Sequence, residues 1–75
     1  MVEPVLVGRV IQGLRKEKGL SQEVLSGLAD LDRTHDSKIE RGLRCPTLDS
    51  LFKIAHALDI PPHELVRAIE KVAER

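Results

Sequence analysis

The stretch Gly19 to Gly42 reads GLSQEVLSGLADLDRTHDSKIERG, and it restricts the fold more than any other part of the chain. It holds two helix start signals. Ser21 and Asp32 carry side-chain oxygens able to accept from the free N–H groups of a first turn. Gly42 can take the left-handed conformation that closes a helix. The spacing predicts one helix over about Gln22–Ala29, a turn at Asp30-Leu31-Asp32 with Leu31 as its buried anchor, and a second helix over about Arg33–Arg41. Val24, Leu25 and Leu28 are expected to face the core from the first of these. Ser26 and Gly27 weaken it, the glycine by about 1 kcal/mol relative to alanine.

The flanks are helical too. Leu6, Val7, Val10, Ile11 and Leu14 fall at helical spacing and predict an amphipathic helix ending near Lys18 and Gly19. Beyond a loop at Leu43-Arg44-Cys45-Pro46, Thr47 is placed to cap a further helix running through Leu58. Leu48, Leu51, Ile54, Ala55 and Leu58 are its expected apolar stripe. Asp59-Ile60-Pro61-Pro62 ends it, and Pro62 suits the first turn of a last helix because its missing N–H would be unpaired there anyway. Leu65, Val66, Ile69, Val72 and Ala73 continue that helix amphipathically. No segment alternates as a strand does. The expectation is a five-helix, all-α protein with residues 1–75 as a single domain.

Other classes of structure and chemistry find little support. Cys45 is the only cysteine, so an internal disulfide is excluded. No apolar run is long enough to span a membrane and no signal-peptide pattern is present, so a cytoplasmic protein is expected. His35, His56, His63 and Cys45 show no metal-ligand spacing, and neither a phosphate-binding glycine loop nor a convergent acid–base pair is evident. No enzyme activity, metal, cofactor or small-molecule ligand is expected.

Formal net charge is zero, which by itself argues against a nucleic-acid binder. From Arg9 to Arg44, however, the eight bases exceed the six acids, and both flanks are slightly acidic. Two short helices joined by about 3–4 residues form a helix-turn-helix, a unit whose second helix can enter a DNA major groove.

In its detail the chain resembles the Cro/C1-type (XRE) family of helix-turn-helix regulators. The likeness rests on Gly8-Arg9, Leu14-Arg15, Lys18-Gly19-Leu20-Ser21-Gln22, Leu25, Ala29, Leu31, Arg33-Thr34, Ser37, Ile39-Glu40-Arg41-Gly42, Pro46-Thr47-Leu48, Leu51, Ile54-Ala55, Ala57-Leu58 and Glu64-Leu65. It runs ungapped from about Gly8 to Val66, and the G-L-S-Q and I-E-R-G pieces are specific at this separation. It implies a lambda-repressor-like domain with its helix-turn-helix at about residues 21–42.

The resemblance also implies roles. Arg15 and Glu40 would form an ion pair bridging the first and third helices. Gln22, at the start of the second helix, would meet a DNA phosphate. Arg33, Thr34, Ser37 and Lys38, on one face of the third helix opposite Ile39, would read base edges. Arg41, Arg44 and Thr47 would hold the sugar–phosphate backbone.

Two positions depart from the family pattern. Asp30 stands where a turn glycine is usual, and aspartate tolerates the left-handed conformation better than most residues. Asp36 stands where the family has an inward apolar residue. A buried carboxylate needs a partner. Either it reaches a cation such as Arg15 or Arg33, or the helix rolls and His35 takes the inward place.

A reading head this small is expected to bind double-stranded DNA as a homodimer on an inverted repeat. Surplus apolar residues on the last helix offer the interface: Leu65, Ile69 and Val72 along one seam, Val66 and Ala73 along another. One seam would cover the core while the other meets a second subunit. The expected function is a transcriptional regulator, a repressor of prophage type or a restriction–modification controller. The alternative is an antitoxin or adaptor module that binds a partner protein.

Overall fold

The computed structural model describes residues 2–74, so the two ends of the expected 1–75 domain, Met1 and Arg75, lie outside it. Five helices follow one another: α1 (Pro4–Glu17), α2 (Gln22–Ala29), α3 (Arg33–Glu40), α4 (Leu48–Ala57) and α5 (Pro62–Ala73). No strand occurs among the described residues.

Local chemistry sets the boundaries. Val24 N–H donates to Ser21 Oγ at 3.1 Å, Thr34 N–H to Asp32 Oδ1 at 2.7 Å, and Ser50 N–H to Thr47 Oγ1 at 3.1 Å. These three caps fix the starts of α2, α3 and α4. α1 and α5 start instead on proline, with φ already helical and no N–H to leave unpaired. α2 closes through Asp30, which sits at φ 55°, ψ 44°. The next residue, Leu31, donates its N–H back to Ser26 O at 2.9 Å. α3 closes the same way. Gly42 has φ 77° and Leu43 N–H reaches Lys38 O at 2.9 Å. α3 therefore ends at Glu40, with Arg41 as its cap.

α2 packs on α4 and α3, α1 packs on α3 and α5, and α4 closes against α5. The shared core is aliphatic. Val7 and Ile11 enter it from α1, Leu25 and Ala29 from α2, and Ile39 from α3. Leu51, Ile54 and Leu58 come from α4 and its cap, Leu65 and Ile69 from α5.

Three residues expected in the core lie outside it. Val24 and Leu28 are 47% and 55% exposed, and Leu48 is 71% exposed. Leu25, Ser26 and Ala29 occupy the inward face of α2. Val24 and Leu28, one helical turn apart, share an outer flank. Leu48 is the first residue of α4, before the turn at which that helix reaches the core.

Candidate nucleic-acid interface

α3 is held from beneath by a charged network. Arg15 Nε donates to both carboxylate oxygens of Glu40 at 3.1 Å, and its Nη2 lies 3.0 Å from Glu40 Oε1. Arg15 Nη1 donates to Leu20 O at 2.8 Å, so the same guanidinium also braces the α1–α2 link. Gln22 Nε2 donates to Glu40 Oε1 at 3.3 Å. The carboxylate thus has donors from both α1 and α2. Both partners of the pair are buried, and removing either would leave an uncompensated charge. Gln22, expected at a phosphate, turns one amide N–H to this part-buried contact and keeps the other.

The outward side of α3 is open. Arg33, Thr34 and Lys38 are exposed and Ser37 is half-buried. Arg33 Nη1 lies 3.8 Å from Glu23 Oε2 in a solvent-exposed pair. Such a pair is worth little and does not tie Arg33 down. Arg41 and Arg44 are exposed immediately beyond the helix. Thr47 is exposed too, but its hydroxyl already accepts from Ser50 N–H and donates to Ser50 Oγ at 3.0 Å.

Asp36 faces inward and is fully buried, while His35 on the same helix is half-buried. The helix has not rolled. Nor does Asp36 pair with a cation, since Arg33 turns to Glu23 and Arg15 to Glu40. Its neighbour is a hydroxyl, with Ser26 Oγ 3.3 Å from Asp36 Oδ2. Burial first, and then the adjacent Glu40 carboxylate, raise the Asp36 carboxyl to about 6. Ser26, which in the sequence looks only like a weak helix former, is the partner that sequence reasoning missed. The contact spans ten residues across the turn, and only the inward direction of position 36 hints at it.

Of the residues expected at a subunit interface, Leu65 and Ile69 are buried in the core of their own subunit and present nothing to a second copy. Val66 and Ala73 are exposed and Val72 is half-buried. A further apolar surface lies on α4. Leu48 and Phe52 lie exposed on α4 and, with Asp49, line a shallow depression of about 300 Å³.

The helix-turn-helix family model matches residues 11–65. The control protein C.MunI from Mycoplasma sp is 48% identical over 65 residues, spanning 85% of this chain and 88% of the relative. The crystal structure of the restriction-modification controller protein C.AhdI from Aeromonas hydrophila superposes with a TM-score of 0.81 at 45% identity, over 87% of this chain and 98% of that one. C.Esp1396I bound to a 19 base pair DNA duplex superposes with a TM-score of 0.87 at 34% identity, over 97% of each chain.

Proposed function

The chain belongs to the helix-turn-helix family, in its Cro/C1-type branch, and from that membership we propose that it is a sequence-specific DNA-binding transcriptional regulator of the restriction–modification controller type. The observation that carries this reading is the pose of α3. It is capped by Asp32 at one end, closed by Gly42 at the other, and bolted to α1 and α2 through Glu40. Its Arg33, Thr34 and Lys38 side is exposed. The controller role is supported by relatives of 45–48% identity that are themselves controllers and are matched over most of their length. Those relatives are regulators rather than enzymes.

In the bound state α3 lies in the major groove. Arg33 and Lys38 donate to guanine O6 and N7, and Thr34 meets a base edge or a thymine methyl, with Ser37 beside them. Arg41 and Arg44 hold the phosphates without reading sequence. Gln22 and Thr47 contribute through the backbone N–H groups at the starts of α2 and α4, joined by the Gln22 amide N–H that Glu40 does not take. The protein acts as a homodimer on an inverted repeat. It has two apolar surfaces to draw on: Val66, Val72 and Ala73 on α5, and Leu48 with Phe52 on α4.

Electrophoretic shift of random-sequence duplexes across a salt series tests the reading. Affinity should fall steeply as salt rises, because each neutralised phosphate releases counterion. No shift of any duplex at low salt would overturn it.

A further inference from the structure

Five polar residues meet behind α3, and their protons do not add up if every acid is ionised. Asp36 is fully buried, and its Oδ1 has no hydrogen-bond partner. Its Oδ2 faces Ser26 Oγ at 3.3 Å. A serine hydroxyl has one proton, and that of Ser26 goes to Gln22 O at 2.6 Å, the shorter contact within α2. An ionised Asp36 would set an acceptor against an oxygen whose proton is committed elsewhere. It would also set one carboxylate beside another, that of Glu40 one helical turn on. Glu40 receives Arg15 Nε, Arg15 Nη2 and Gln22 Nε2. Of the two acids, Glu40 is the one supplied with donors, and Asp36 is the one left to carry a proton.

We propose that Asp36 acts as a neutral carboxyl group whose Oδ2–H donates to Ser26 Oγ, completing a chain to Gln22 O that clasps α3 to α2 and positions the DNA-reading face. A proton on Oδ2 turns the 3.3 Å contact from two acceptors into a donor and an acceptor, and relieves the repulsion from Glu40. Asp36 touches no DNA; it acts through the helix that carries it. The groups facing it are Arg15 from α1, Ser26 from α2 and Glu40 from α3 itself; burial and Glu40 favour the neutral carboxyl, outweighing Ser26 and Arg15, which favour the ionised one. The inference rests on reading α3 as the recognition helix only for its consequence on DNA binding. The clasp itself can be measured without DNA.

The sign of the effect is the reverse of the usual carboxylate case. The folded-state value is raised, from 3.8 to about 6. The stabilisation is therefore fully present below the unfolded value and is lost as pH rises through about 6. The loss amounts to roughly fiftyfold in the folding equilibrium constant between pH 4 and 7. Asp36→Asn keeps the shape and a donor but cannot ionise, so it should lack that dependence.

The test is a carboxyl-carbon NMR titration of Asp36 in the unaltered protein, together with denaturant unfolding of the unaltered protein and Asp36→Asn from pH 4 to 7. A titration midpoint near 6, with the ratio of the two folding constants changing about fiftyfold, is expected. A midpoint in the ordinary range near 4, or parallel stability profiles, would overturn the proposal. The titration reads the clasp even if Asp36→Asn fails to fold. With a pool of random-sequence DNA duplexes, the unaltered protein should bind more tightly at pH 6 than at pH 8, by a larger factor than Asp36→Asn. No binding by either protein at any pH, with the midpoint still near 6, would overturn the recognition-helix reading and leave the clasp standing.

Discussion

Gly8 on α1 lies directly against the C-terminal turn of α3: a Cβ placed on it would stand 2.5 Å from the backbone carbonyl oxygens of both Ile39 and Glu40. The neighbouring atoms are main chain, so they cannot rotate away. The absence of a side chain at position 8 lets α1 approach α3 closely enough for Arg15 to reach Glu40. Gly8→Ala should therefore destabilise the protein by about 1–3 kcal/mol, despite alanine's better helix propensity. Gly27→Ala is the control. Gly27 is exposed within α2 with open space around its Cα, and the substitution should stabilise by up to about 1 kcal/mol. Thermal melting of both variants checks the pair; equal effects would refute the close-approach argument.

Breaking the buried ion pair from one side should cost much more than an exposed pair would. Arg15→Ala and Glu40→Ala are each expected to lose about 3–5 kcal/mol, because the remaining charge stays buried. Replacing both together by apolar residues of similar size, Arg15→Met with Glu40→Leu, should recover a large part of that loss. Urea unfolding measures all three. Single losses below about 1 kcal/mol would put the pair in the class of surface bridges.

The architecture was legible because its punctuation is local. Ser21, Asp32 and Thr47 announce helix starts by residue type, and Asp30 and Gly42 announce the turns. What was not legible is contact across the turns. Periodicity gives the width of an apolar stripe but not which of its residues the neighbouring helix covers. The apolar stripe of α2 thus includes Val24 and Leu28, which stay exposed, while Ser26 holds an inward place. Asp36 stood out in the sequence as an inward acid, but its partner lies ten residues back and looked like a defect of α2. Gln22, expected at a DNA phosphate, also turns its amide to Glu40, a contact 18 residues away that no local pattern announces.

Base-reading and backbone contacts should separate in binding measurements. Lys38→Ala is expected to relax preference at one base position, costing about 1–3 kcal/mol on the preferred site and little elsewhere. Arg44→Ala should weaken all sites alike and reduce the slope of log affinity against log salt by about 1. The opposite pattern would show that the reading face is elsewhere on the helix-turn-helix.

The dimer surface can be assigned by charge insertion. Phe52→Glu and Val66→Glu alter exposed residues, so each should leave the monomer fold within about 0.5 kcal/mol of its starting stability. One of them should shift the protein towards monomer in sedimentation equilibrium. Leu65→Ala should instead destabilise the fold by about 2–5 kcal/mol, since Leu65 is buried in its own subunit. If neither glutamate variant changes the oligomeric state, both surfaces are excluded.

The central claim, that α3 reads DNA sequence as one half of a symmetric pair, is tested most directly by selecting bound duplexes from a random-sequence pool and sequencing them. The account predicts an enriched inverted repeat, with half-site centres about 10–10.5 base pairs, or a multiple of that spacing, apart. Enrichment of no common sequence, or of a single unrepeated site that survives alanine substitution of Arg33, Thr34 and Lys38, would contradict it.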